Sequence, residues 1–404
     1  MTPAETDTPS PPATRTAAEA RATAESLAPA MAARAAGYDD GGTFPAADFA
    51  AIRDAGLLGL MVPTRLGGTG SGFAGYAEVA MALAAGNGAT ALIYNMHASV
   101  TGALAAIPDE MARALGVPES FFGMRDRVLQ AAAEGALYGV AMSERGAGSR
   151  LSALTTQYSR VDRGWHIRGH KTFCSGAGHA DAYLVAAKNG DAVSHFVVPA
   201  GSPGNPGLRV EETWDSLGMR ATASHDLHID LVVDEDALLG GVEGLSLLVA
   251  QVMPQWLVAS YAAVYVGVAA AALANAGSYA AERGFARLPA VRARLGRADA
   301  QVAAARQLIR EAARRVDTDP GTPETNRWIW RAKLVAGETA AEVAASMLEA
   351  CGTAATRRGN PLERLYRDAR CGSLQPATSD VCADYLGLAA LGKDPERDAE
   401  VPRW

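Results

Sequence analysis

The sequence predicts an α+β multidomain fold in which an N-terminal α-helical domain, a middle β-barrel domain and a C-terminal four-helix bundle follow one another. Helical spacing of Ala and Leu dominates both ends of the chain, whereas short β-branched and aromatic runs separated by Gly, Asn, Asp and Pro crowd its centre. The length of 404 residues and a hydrophobic content of 49% are enough to bury the cores of two or three domains.

Residues 1–15, MTPAETDTPSPPATR, carry almost no large apolar side chain to repay the entropy of ordering, so a flexible tail is expected there. Residues 16–135 read as the helical domain, interrupted at Gly37–Pro45 and Pro63–Gly72. Between 136 and 241 come seven strand-like runs: ALYGVAMS, SALTTQYSRV, WHIRGHKTF, AYLVAA, SHFVVPA, LRVEET and HDLHIDLVV. Their close spacing predicts a compact barrel or sandwich. Residues 242–395 return to helical periodicity in four segments, predicting the bundle, and residues 396–404 are expected to be a short tail.

The 37 Lys and Arg against 44 Asp and Glu leave a net charge of −7, which offers no footprint for nucleic acid and favours a small-molecule substrate. Cys174, Cys351, Cys371 and Cys382 form neither a C-x-x-C pair nor a zinc knuckle and read as reduced thiols. The first residues lack an apolar signal core, and no stretch supplies the roughly 20 uninterrupted apolar residues of a spanning helix. No membrane partner and a cytoplasmic location are expected. His166 with His170, and His225 with His228, lie close in sequence but in predicted strands, where such spacings do not converge as they do on a helix; no metal site is expected.

Five ordered segments resemble those of the acyl-CoA dehydrogenase superfamily. FPAADFAAIRDAGLLGLMVPTRLGGTG (44–70) is similar to its opening helix and glycine loop, SERGAGS (143–149) to TEPxAGSD, and WHIRGHKTFCSGAGHAD (165–181) to its G-x-K-x-(W/F) strand. DSLGMRATASHDLHIDLVVDEDALLG (215–240) and PLERLYRDAR (361–370) complete the set. GGTGSG (67–72) does not sit in a βαβ unit and reads as a connecting loop.

The resemblance implies a bound flavin. Met142 and Ser143 would lie along its edge, Phe173 would pack by the ring, the Ser175 hydroxyl would reach toward N5 or O4, and Gly148 and Ser149 would approach the pyrophosphate. Arg283 and Phe285, with Gly352, would complete the site of a two-fold-related subunit in a homotetramer or homodimer. The Arg283–Pro289 loop is shorter than the family's and the Gly352 turn lacks the usual second glycine, so FAD is expected with FMN as the smaller alternative.

The family's catalytic Glu, which removes the α-proton of an acyl thioester, has no counterpart. Pro376 aligns at the commoner position, and Leu257 and Val258 at the other. Replacement candidates are Asp380, which also suits a helix N-terminus, and His97, on a helix that walls the acyl pocket in the family; Tyr261 and Gln255 follow, while Glu144 reads as structural. The expected function is oxidation of a CoA- or carrier-bound acyl thioester with an unconventional base. The alternatives are an N- or S-oxygenating flavin monooxygenase, or a non-catalytic homologue serving as a partner subunit. An electron-transfer or flavin reductase partner would accompany either redox reaction.

Overall fold

The computed structural model describes residues 16–114, 116–200 and 207–404. The expected tail over 1–15 lies outside them. The first helix, α1 (Ala17–Gly41), starts where Thr16 and Glu19 form a reciprocal capping box. It is followed by α2 (Ala46–Asp54), α3 (Phe73–Gly86), α4 (Gly88–Ala105), α5 (Asp109–Ala114) and α6 (Glu119–Ala133). Asn87 ends α3 and caps α4, its side chain accepting from the Ala89 N–H. The Gly67–Gly72 run is a loop leading into α3, whose first N–H groups are taken by the Asp317 carboxylate.

Each of the seven strand-like runs contains a strand: β1 (Tyr138–Ala141), β2 (Gln157–Val161), β3 (Gly164–Cys174), β4 (Ala182–Asn189), β5 (Ala192–Pro199), β6 (Leu208–Glu211) and β7 (His225–Val233). They form one curled sheet in the order β1-β4-β2-β3-β7-β6, with β5 paired to β4. Trp165, Ile167, Val185, Phe196, Leu227 and Ile229 fill its concave side. A register shift between Lys171 and Cys174 breaks the β3 alternation and leaves Phe173 at φ 57°, outside the sheet's own core.

The C-terminal part comprises α7 (Leu245–Val252), α8 (Ala259–Glu282), α9 (Pro289–Thr318), α10 (Pro323–Cys351), α11 (Pro361–Arg370) and α12 (Ser379–Ala390). One continuous hydrophobic core joins α3 and α4 to α8, α9 and α10, so the two helical parts pack as a single body with the sheet beside it. Gly267 permits this: a Cβ there would stand 2.5 Å from the Met81 carbonyl. Contrary to the expectation that no segment reaches spanning length, Pro254–Glu282 is long and apolar enough to cross a membrane by length and composition, but most of it is buried within the protein. Its hydrophobicity is that of a central core helix.

The RDA segment of α11 acts as a clasp. Arg367 makes paired contacts with Asp39 of α1 at 3.0 and 2.5 Å and donates to the Leu217 carbonyl, while Asp368 accepts from the Met219 N–H at 2.6 Å. Residues 396–404, expected as a tail, instead fold back: the Trp404 ring lies 5.9 Å from that of Trp330, and Ser152 donates to the Trp404 carbonyl.

Candidate functional site

A cavity of about 470 Å³ lies where the sheet, α4, α8 and the C-terminal segment meet. Its walls are mostly apolar: Met96 and Ala103 of α4, Val140 and Leu184 of the sheet, Trp256 and Leu257 just before α8, Tyr261 in its first turn, and Trp330 and Trp404. Such a surface suits a largely apolar ligand oriented by a few polar groups.

Of the residues expected to bind flavin, Met142, Ser143, Ser149 and Phe173 line this cavity together. Phe173 is 64% exposed, held edge-on against Trp214 at 5.8 Å, and so presents an uncovered aromatic face. Gly148 closes a tight turn in which Glu144 and Gly148 exchange backbone hydrogen bonds. Its φ of +61° demands glycine, whereas a Cβ would meet no protein atom within 4 Å; conformation rather than crowding fixes the residue.

Ser175 departs from expectation. Its side chain is buried and does not line the cavity. It is 2.9 Å from Ser224, which is 2.7 Å from Thr222, whose hydroxyl donates to the Met219 carbonyl. With the Thr222 proton spent, the chain runs as donors from Ser175 inward, so no hydroxyl proton is aimed at the cavity.

His97 is likewise corrected. It is 1% exposed, its Nε2 donates to the Leu58 carbonyl at 2.7 Å, and its Nδ1 accepts from the Tyr138 N–H at 3.1 Å. Burial holds its pKa down at about 4 against the upward pull of the Leu58 carbonyl, so the ring is neutral with both nitrogens occupied. It joins α4 to β1 and has nothing to offer a substrate. Its neighbours Met96 and Ser99, not His97, face the cavity.

The positions of the missing carboxylate are resolved in detail. Leu257 and Pro376 both line the cavity, and the loop carrying Pro376 is pinned from below by Lys333, which donates to the Gly372 and Gln375 carbonyls at 2.8 and 3.2 Å, and by Tyr265, which donates to the Gln375 side chain at 2.6 Å. Burial lowers Lys333 to about 8. Asp380 lies at the cavity's edge, solvent-exposed in the first turn of α12, where Thr378 provides the cap by accepting from the Val381 N–H. Tyr261 faces the cavity and Gln255 is buried away from it. Glu144 is fully engaged. Burial opposes its ionisation, but Lys171 at 2.7 Å and donors from Thr155 and Thr156 hold it down at about 2. It braces the 143–149 turn.

A candidate residue that sequence reasoning missed is His195 on β5. It lines the cavity at 8% exposure, and its Nε2 is buried with no hydrogen-bond partner. Burial, reinforced by the Lys171 charge, lowers its pKa to about 4. The indole N–H groups of Trp256 and Trp330, residues of the same cavity wall, are also without partners. Each such group costs free energy until a ligand satisfies it.

Arg283, Phe285 and Gly352 lie elsewhere. Arg283 and Phe285 cap the far end of α8 beside Tyr279, and Gly352, at φ +75°, terminates α10; none of the three lines the cavity. The histidine pairs are rearranged by register. His166 meets Asp230 and His225 accepts from the Thr213 and Trp214 N–H groups, but His170 and His228, one from each pair, face each other across β3 and β7 with Glu211 beside them. Neither pair converges by its own spacing, as expected, but His170 and His228 meet across the two strands, because spacing along one strand says nothing about pairing between strands.

The chain matches the acyl-CoA dehydrogenase N-terminal domain over residues 14–119, the middle domain over 139–232 and the C-terminal domain over 256–385. It is 31% identical over 390 residues to the L-evernosamine nitrososynthase of a Micromonospora species, covering 92% of this chain and 89% of that protein. It is 29% identical over 363 residues to the mitochondrial short-chain specific acyl-CoA dehydrogenase of Bos taurus, covering 86% and 83%. Among solved structures, FMN-bound TdsC from Paenibacillus sp. A11-2, a dibenzothiophene monooxygenase, superposes with a TM-score of 0.80 at 26% identity over 93% of this chain and 97% of its own. With all three domains in order around one cavity, the chain belongs to the acyl-CoA dehydrogenase family.

Proposed function

We propose that this chain is a flavin-dependent monooxygenase that oxygenates a nitrogen or sulfur atom of a largely apolar substrate, with its flavin reduced by a separate reductase. The observation that carries this reading is the cavity wall itself: Leu257 and Pro376 stand where a dehydrogenase needs a carboxylate, and Asp380 and Asp384, the acids on the lining, are both solvent-exposed. His195 does not substitute. A base with a pKa of about 4 is poorly matched to removing a weakly acidic α-proton near neutral pH.

The resemblance to a nitrososynthase and to the FMN-bound monooxygenase supports the same reading. Phe173 offers a flat aromatic surface, Met142 and Ser143 an edge, and the Gly148–Ser149 turn backbone and hydroxyl for a phosphate, which together fit a flavin. When bound and reduced, that group supplies the electrons with which O₂ delivers one oxygen atom to substrate and the other to water. The protein's own part is to keep bulk water out with Trp256, Trp330 and Trp404, and to orient the substrate's polar atom with the imidazole of His195 on the cavity wall. A neutral imidazole serves this task without introducing a charge.

The test uses protein reconstituted with FAD or FMN. Reduced anaerobically by an external reductase and then mixed with O₂ and a panel of amines and thioethers, it should yield products heavier by one oxygen atom. Anaerobic bleaching of the oxidised flavin by an acyl thioester would instead establish dehydrogenation, with Asp380 the first residue to substitute.

A further inference from the structure

His170 on β3 and His228 on β7 are direct register partners, and their rings stack at 4.2 Å with 16° between planes. Glu211 comes from the neighbouring edge strand β6, with its Oε2 2.5 Å from His228 Nε2. Asp226, mostly buried, accepts from His170 Nε2 at 2.9 Å and is itself held by the Thr213 hydroxyl and Arg145. Donor atoms of His170, His228 and Glu211 all lie within 4.8 Å of one another. Three neighbouring strands thus bring two imidazoles and a carboxylate to one point on the sheet surface.

We propose that His170, His228 and Glu211 bind a divalent late first-row transition ion, zinc foremost, as a clip joining β3, β7 and β6. Two imidazoles and one carboxylate make a donor set for zinc, copper or nickel, whereas calcium and magnesium call for oxygen ligands. Asp226 on the His170 ring is the carboxylate that orients a metal-binding histidine. The clip has a structural consequence close to the main cavity. Glu211 ends β6, and Trp214, three residues on, packs against Phe173, so a bound ion stiffens the support of the exposed Phe173 ring. Nothing in this site depends on which reaction the cavity performs.

Full-length protein stripped with a chelator and titrated calorimetrically with zinc should bind one ion per chain and melt at a higher temperature, with magnesium unable to compete. The His170→Gln/His228→Gln double variant should lose saturable binding and the thermal shift, while melting like the stripped parent. Asp226→Asn should weaken binding about ten- to hundredfold. Absence of saturable zinc binding to the parent, or undiminished binding by the double variant, overturns the proposal. Because binding is read without turnover, its failure is separate from that of the oxygenase reading.

Discussion

His97 and His195 are both buried, neutral imidazoles, but they differ in what surrounds the ring. His97 has a partner on each nitrogen, whereas His195, on the cavity wall, has a buried Nε2 without one. Both have native pKa values near 4, below the unfolded value of about 6.5. Between these limits the unfolded chain holds protons that the native chain does not, so stability rises with pH. It is complete above about 6.5 and lost as pH falls toward 4, by roughly 3 kcal/mol per histidine. Denaturant unfolding at pH 7, 5.5 and 4.5 should show this slope, reduced by about one proton in His97→Gln. His195→Leu should behave differently at neutral pH. Removing an unsatisfied buried nitrogen should leave stability unchanged or raise it by about 1 kcal/mol, while oxygenation falls tenfold or more as the substrate loses its polar anchor. Loss of stability with turnover intact would make His195 merely a wall residue.

At the level of elements, what the sequence could reveal depended on whether the signal was local. All seven strands and the four long bundle segments are written in periodicity and turn residues and are found where expected, whereas α1 runs on to Gly41, past the interruption expected from Gly37. Part of the cavity wall was legible too, since Met142, Ser143, Ser149 and Phe173 lie in recognisable segments and all line it. What depended on pairing or packing was not. His195 sits in SHFVVPA with apolar neighbours on both sides of the strand, so nothing in the alternation separates it from a core residue. His170 and His228 become neighbours only through the β3–β7 register. The PLERLYRDAR segment was recognisable, but its physical role comes from partners over 140 residues away. Arg367→Met should test that role: it removes the paired guanidinium from Asp39, unfastening α11 from α1, and the donor to the Leu217 carbonyl, while the Asp368–Met219 bond remains. A loss of about 3–5 kcal/mol in chemical unfolding is expected, with α1 the first region to gain hydrogen exchange. A loss below about 1 kcal/mol would mean the clasp is incidental.

Across the whole molecule, the cofactor candidates fall into two groups that one chain does not bring together. Met142, Ser143, Ser149 and Phe173 line the cavity, while Arg283 and Phe285 at the end of α8, and Gly352 at the end of α10, lie off it. Ala280, Val291 and Ala350 pack together at this end with Phe285, so the second group is itself a coherent surface. The family resemblance implies a use for it across a two-fold, where the end of one bundle would meet the outer half of a partner's cofactor. That geometry separates the two flavins. FAD carries an adenosine half long enough to reach a second subunit and FMN does not. Arg283→Ala should therefore weaken FAD binding about tenfold or more, the scale of one hydrogen bond to a charged group, and leave FMN binding unchanged. Fluorescence titration of the flavin-free variant with each cofactor, alongside light scattering to measure its oligomeric state, reads both halves of the expectation. Equal affinities for FAD and FMN in the parent, unaltered by the substitution, would confine the cofactor to the single-chain cavity and make FMN sufficient; a selective loss of FAD would mean that each active site is built from two chains.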